Sequence, residues 1–120
     1  MAATDIHDYL RPGRRAHLVG IGGVSMSPLA EVLHGAGMTI TGSDMRESAT
    51  TEHLRSLGIR VDIGHRAENV TGADLIIRTA AAHDSNPEIA EAHRLGIPVF
   101  ERAQAWGSIM RGYRNALCIA

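Results

Sequence analysis

The stretch Ala16-His17-Leu18-Val19-Gly20-Ile21-Gly22-Gly23-Val24-Ser25-Met26-Ser27 decides the fold and points to the site. His17 to Ile21 reads as a short apolar strand that enters two adjacent glycines and passes at once into an amphipathic pattern. Met26, Leu29, Ala30 and Leu33 recur at the three- and four-residue spacing of one buried helix face. Ser25 stands where an N-cap is expected, and Pro28 falls within the first turn, where an N–H would have no intrahelical partner anyway. A strand, a glycine turn and a helix in this order make a cradle for an anion. The glycines let backbone approach a ligand, and the helix start offers unpaired N–H groups with a partial positive charge. The expected ligand carries phosphate, and a diphosphate fits best.

Outward from this turn the pattern alternates. Gly35 and Gly37 close the first helix, and the run from Met38 to Thr41 reads as a second strand ending at Gly42-Ser43-Asp44. Asp44 lies about 20 residues beyond the glycine turn, where dinucleotide-binding folds place an acidic residue. The G-x-G-x-x-G spacing counted from Gly20 and Gly22 puts Ser25 at the third glycine, which weakens the case for NAD or FAD. Thr50 to Leu57 reads as a helix closed by Gly58, Ile59 to Ile63 as a strand, and Leu75 to Ile77 as a buried strand. Asn86-Pro87-Glu88 is a helix start with a cap, a proline at the first position and an acid suited to the helix dipole, and that helix runs to Leu95. Pro98-Val99-Phe100 follows, then a helix over about Arg102 to Arg111 and an apolar strand from Asn115 to Ala120. Gly37, Gly58 and Gly96 each sit between a helix end and a strand. Repeated units of this kind predict a Rossmann-like α/β fold in three layers, a parallel sheet with helices on both faces.

Composition narrows the function. The 120 residues suit one domain, and the apolar runs are too short to span a bilayer. The polar start, Met1 to Arg15, lacks the apolar core of a signal peptide, and the sole cysteine, Cys118, has no internal partner, so a cytoplasmic setting is expected. A net charge of -1 and only four aromatic residues (Tyr9, Phe100, Trp106, Tyr113) argue against nucleic acid. All 12 basic residues are arginine. Without lysine the chain holds neither a Schiff-base nucleophile nor a complete Walker A loop, and ATP hydrolysis within it is excluded. The seven histidines show no metal-ligand spacing, and His34 and His93 fall on expected helix surfaces.

The turn His17 to Ser27, with Gly42-Ser43-Asp44, Ile63-Gly64-His65, Asn86-Pro87-Glu88 and Gly96-Ile97-Pro98-Val99, resembles the N-terminal domain of the Mur ligases, nearest to their alanine-adding branch. The likeness runs from about Arg14 to Ala120. It implies an N-terminal extension over 1–13, a UDP-sugar-binding domain over 14–115, and over 116–120 the first strand of an ATP-binding domain. It also implies that UDP-N-acetylmuramic acid binds here, with no cofactor of this segment's own. ATP and Mg2+ would be held by central and C-terminal domains of the same protein, and the segment alone would catalyse nothing. Carried over by position, the amides of Gly22, Gly23, Val24, Ser25 and Met26 would meet the diphosphate. Asp44 would meet the uridine or its ribose, Ser43 beside it would belong to the substrate-binding site, and His65, Thr79, Ala80 and Ala81 would line the nucleotide pocket. Arg78-Thr79-Ala80-Ala81 departs from the serine-rich segment of many relatives, and Glu101 stands where a second arginine is common. The rival readings are a nicotinamide-binding dehydrogenase module, a nucleotide-sensing domain and a murein tripeptide ligase.

Overall fold

The strands β1 (Arg15–Val19), β2 (Thr39–Asp44), β3 (Arg60–Ile63), β4 (Leu75–Arg78) and β5 (Val99–Glu101) form one parallel sheet in the order β3-β2-β1-β4-β5. The computed structural model describes residues 9–79, 82 and 85–119, for 111–119 the backbone only. Between the strands run α1 (Met26–Gly35), α2 (Ala49–Ser56), α3 (Pro87–Leu95) and α4 (Arg102–Ile119), with a 3-10 turn at Ala67–Val70 before β4.

Alternation along the strands divides the interior into two layers. Ala16 and Leu18 of β1, Ile40 of β2, Val61 of β3, Leu75 and Ile77 of β4 and Phe100 of β5 face one side. There they pack against Met26, Leu29, Ala30 and Leu33 of α1, Leu54 of α2 and Ala105 of α4. Val19 and Ile76 face the other side and meet Val70 of the 3-10 turn and Ile89 and Ala92 of α3. Helices therefore cover both faces, and the three-layer Rossmann-like architecture expected from the sequence is the one observed.

The helix boundaries follow local chemistry. Asn86 caps α3 as expected, its side chain accepting from the Glu88 N–H at 2.9 Å. Gly96 closes that helix with a left-handed φ of 75°. Ser48 and Thr51 form a reciprocal capping box on α2, a start signal not read from the sequence. Ser25 precedes α1 but its hydroxyl makes no capping bond, because Ser25 itself already has helical φ and ψ. Tyr9 and Leu10, within the segment read as an extension, pack against the core, and the Tyr9 ring lies 5.8 Å from that of Phe100.

Two elements differ from the sequence reading. β1 begins at Arg15 and ends at Val19 rather than spanning His17 to Ile21, since the N–H groups of Gly20 and Ile21 both turn onto the Ser43 carbonyl at 2.8 and 3.0 Å. The strand expected over Asn115–Ala120 is instead helix as far as Ile119, continuous with α4. A strand needs a sheet neighbour for its N–H and C=O groups, whereas alanine and leucine satisfy theirs within a helix. The residues 80, 81 and 120 lie outside those described.

Candidate functional site

The strand order reverses direction at β1, whose neighbours are β2 and β4. Parallel sheets of this type bind ligands in the crevice beyond the carboxyl ends of the strands at such a switch point. A cavity of about 500 Å3 lies there. Its walls are Gly20 after β1, Asp44, Met45 and Arg46 at the end of β2, His65 after β3, Thr79 and Ala82 after β4, and Ser85 and Asn86 ahead of α3. The cavity thus gathers residues from four loops that are distant in sequence.

Of the residues expected from sequence, Asp44, His65 and Thr79 line the cavity. Ala80 and Ala81 lie outside the described residues. The glycine turn flanks the cavity and is partly engaged by the protein itself. Gly22 N–H donates to Asp44 Oδ2 at 2.9 Å, Gly23 N–H to the Gly20 carbonyl at 3.0 Å, and Met26 N–H to the Gly23 carbonyl at 3.1 Å. The amides of Val24 and Ser25 have no partner among the described residues. The side chain of Val24 is 97% exposed, while Met26 is buried in the core. A Cβ on Gly22 would stand 2.8 Å from Asp44 Oδ2, so the bare backbone here admits the acid at the end of β2. Arg46 is exposed, and its side chain has no ion-pair partner among the described residues. From α4, Trp106 Nε1–H donates to the Ser25 carbonyl at 3.1 Å and pins the turn.

Ser43 is placed differently. It is fully buried and turned away from the cavity, toward Glu88. Glu88 was read as a favourable acid at a helix start; the structure makes it the centre of an interior network, with 0% of its surface exposed. Its Oε1 accepts from His17 Nε2 at 2.8 Å and from Ser43 Oγ at 2.6 Å. Its Oε2 accepts from Arg66 N–H at 3.0 Å and Asn69 Nδ2 at 2.7 Å. Burial alone would raise this carboxyl, but the bonds from His17, Ser43 and Asn69 and the His17 charge outweigh it and hold the pKa at about 2. His17 Nδ1 lies 2.9 Å from Thr41 Oγ1, and His65 Nδ1 lies 2.8 Å from Ser43 Oγ. His17 was the available signal. A polar side chain inside an apolar parallel strand requires a buried partner, although the sequence does not say which.

Among the described residues no group of three or more His, Cys, Asp or Glu is placed to hold a metal ion, and no helix is long and apolar enough to cross a membrane.

Residues 15–114 match the family described as the Mur ligase family, catalytic domain. The chain is 52% identical over 112 residues, 92% of its length, to a UDP-N-acetylmuramate–L-alanine ligase of Legionella pneumophila. It is 52% identical over 98 residues, 82% of its length, to that of Sorangium cellulosum. These alignments cover 24% and 21% of the two relatives, so the chain spans about a quarter of the length of the curated proteins it matches. Among solved structures, the UDP-N-acetylmuramate-alanine ligase of Thermotoga maritima superposes with a TM-score of 0.78 at 36% identity, over 81% of this chain and 23% of that one. A UDP-N-acetylmuramate:L-alanyl-γ-D-glutamyl-meso-diaminopimelate ligase from Neisseria meningitides gives 0.70 at 27%, over 75% of this chain and 29% of that one. A shikimate dehydrogenase from Aquifex aeolicus, at 13% identity and a TM-score of 0.54 over 79% of this chain and 44% of that one, shares the fold alone. With its β3-β2-β1-β4-β5 sheet, its glycine turn and its match over residues 15–114, the chain belongs to the Mur ligase family.

Proposed function

We propose that this chain is the part of an ATP-dependent ligase that holds UDP-N-acetylmuramic acid while L-alanine is joined to its carboxylate. The observation that carries the reading is the cavity at the β1/β4 switch point, lined by Asp44, His65 and Thr79 beside a glycine turn, in a chain 52% identical to alanine-adding relatives. The unpaired amides of Val24 and Ser25 and the side chain of Arg46 are suited to the diphosphate, because amides at a helix start and an arginine fork both complement phosphate oxygens. Asp44 accepts hydrogen bonds and repels phosphate, so its share is the ribose hydroxyls of the uridine.

ATP and Mg2+ do not fit the residues present. The chain has no lysine to reach the terminal phosphates, and no cluster of metal ligands stands among its described residues. In this reading both are held elsewhere in the ligase, and residues 14–115 bind and orient substrate without performing the chemistry. The muramoyl carboxylate, activated as an acyl phosphate, would be attacked by the amine of alanine outside this cavity.

The murein tripeptide reading is less well supported, since the relative with that activity is 27% identical against 36% for the alanine ligase structure. The nicotinamide reading rests on fold alone, and Ser25 occupies the position of its third glycine. Calorimetric titration with UDP-N-acetylmuramic acid beside NAD separates these. Saturable heat from the UDP-sugar alone is expected; heat from NAD alone overturns the reading. Asp44→Ala should weaken UDP-sugar binding by roughly 1–3 kcal/mol, the penalty for leaving buried ligand groups unpaired, and an unchanged Kd removes Asp44 from the site.

A further inference from the structure

Behind the cavity wall, the hydrogen bonds of Glu88 determine where one proton sits on His65. Two of the groups bonded to Glu88, the Arg66 N–H and the Asn69 Nδ2 amino group, which also faces the Gly64 carbonyl, can only donate, and both meet Oε2. The carboxylate is therefore an acceptor on that side, and in its ionised form it accepts on the other side as well, from His17 Nε2 and Ser43 Oγ. A serine hydroxyl has one proton. That of Ser43 is spent on Glu88 Oε1 at 2.6 Å, so the 2.8 Å contact between Ser43 Oγ and His65 Nδ1 is made by a proton on the histidine. In a neutral ring Nε2 then carries a lone pair. The His65 ring is 16% exposed and lines the cavity, and its Nε2 has no partner among the described residues and is not buried.

We propose that Glu88 and Ser43 act as positioning residues that lock His65 in the Nδ1–H tautomer, so that its Nε2 offers the cavity a hydrogen-bond acceptor and selects a base with an imide N–H over one with a ring acceptor. A hydroxyl can donate or accept and is indifferent to the tautomer; an imide N–H can only donate, so a fixed acceptor discriminates. Uracil bears such a group at its N3, where cytosine has a lone pair. The proposal rests on the reading of the cavity as a uridine nucleotide site, but the tautomer itself can be measured without a ligand.

Glu88→Gln tests the lock. The glutamine oxygen is needed by the Arg66 and Asn69 donors, which turns its NH2 toward His17 and Ser43. The hydroxyl of Ser43 must then accept from the amide and donate to His65 Nδ1, which moves the His65 proton to Nε2.

The experiment is a long-range 1H–15N correlation of the chain labelled on histidine, with His65 assigned by the loss of its signals in His65→Phe. It is paired with calorimetry of UDP and CDP on the wild type and on Glu88→Gln. The expected result is the Nδ1–H tautomer in the wild type, UDP bound roughly tenfold or more tightly than CDP, and in Glu88→Gln the Nε2–H tautomer with that preference abolished or reversed. An Nε2–H tautomer in the ligand-free wild type overturns the lock. An Nδ1–H tautomer with equal affinity for UDP and CDP overturns the selection. Failure of UDP-N-acetylmuramic acid itself to bind overturns the functional reading and the selection with it, while the tautomer still decides the lock. Should Glu88→Gln not fold, Ser43→Ala serves: loss of the Nδ1–H bias supports the lock, and an unchanged tautomer overturns the proposed role of Ser43, leaving Glu88 Oε2, 3.7 Å from His65 Nδ1, as the acceptor of that proton.

Discussion

Beneath α1, α2 and α4 the sheet is joined to its helices by apolar side chains, from Leu18 and Ile77 to Met26 and Leu54; beneath α3 it is joined through an ionised carboxylate as well. Both layers are closed to solvent at their centres, for Leu18 and Glu88 are equally inaccessible. The apolar layer depends on volume and shape and has no preferred proton arrangement. The polar layer has a definite arrangement of donors and acceptors, and it lies directly behind His65, at the wall of the cavity. A buried ionic network is weak evidence for added stability but costly to break from one side. In this chain its position suggests orientation of the site more than strength of the fold.

The largest break in this comparison is Glu88→Leu. It leaves four donors (His17, Ser43, Asn69 and the Arg66 N–H) without their acceptor, and a loss of about 3–5 kcal/mol is expected in urea unfolding. Leu18→Ala on the opposite face should cost about 2–5 kcal/mol through its cavity alone. The two differ in acid. Glu88 is held at about 2 when folded against an ordinary 4.5. Its contribution is therefore present above about pH 4.5 and is lost as pH falls from there toward 2, on the order of 3 kcal/mol in all. Unfolding curves of Leu18→Ala should keep that acid dependence, and those of Glu88→Leu should lose this part of it. An identical acid profile in both variants would show that the network does not carry the charge assigned to it.

Smaller effects sharpen the contrast. Gly42 lies opposite Leu18 in the β1–β2 register, and a Cβ added to it would stand 2.4 Å from Ile21 Cδ1 and 2.6 Å from Ile21 Cβ. No rotamer of Ile21 relieves the second contact, so Gly42→Ala should lower stability by about 1–3 kcal/mol through overpacking of the apolar layer. Asn86→Ala removes the cap of α3, the helix that carries Glu88, and should cost about 1 kcal/mol. Because Asn86 also lines the cavity, titration of that variant with UDP-N-acetylmuramic acid reports whether the cap has a second role. Unchanged affinity would confine Asn86 to the helix.

Much of the fold was legible in the chain itself. The apolar spacing of Met26, Leu29, Ala30 and Leu33 marked α1, and the glycines at 37, 58 and 96 marked the helix-to-strand junctions, because periodicity and backbone freedom are local properties. That Asp44, His65 and Thr79 come together was legible, since the ends of successive parallel strands meet at one edge, and all three line one cavity. The start of β1 and the extent of α4 were not, because a strand exists only where a neighbour completes its hydrogen bonds. Nor was the inward turn of Ser43 legible, or the use of the Gly22 N–H by Asp44 instead of a ligand.

The sequence by itself determined the order of the strands and helices as far as β5, the parallel sheet and the place of the glycine turn, all of which follow from hydrophobic period and chain stereochemistry. Tertiary structure alone decided the partnership of His17 with Glu88, 71 residues apart, the burial of Ser43 between them and His65, and hence which nitrogen of His65 is turned to the cavity. A buried charge must find its donors wherever the fold brings them, and that pairing is not written in any local stretch of the chain.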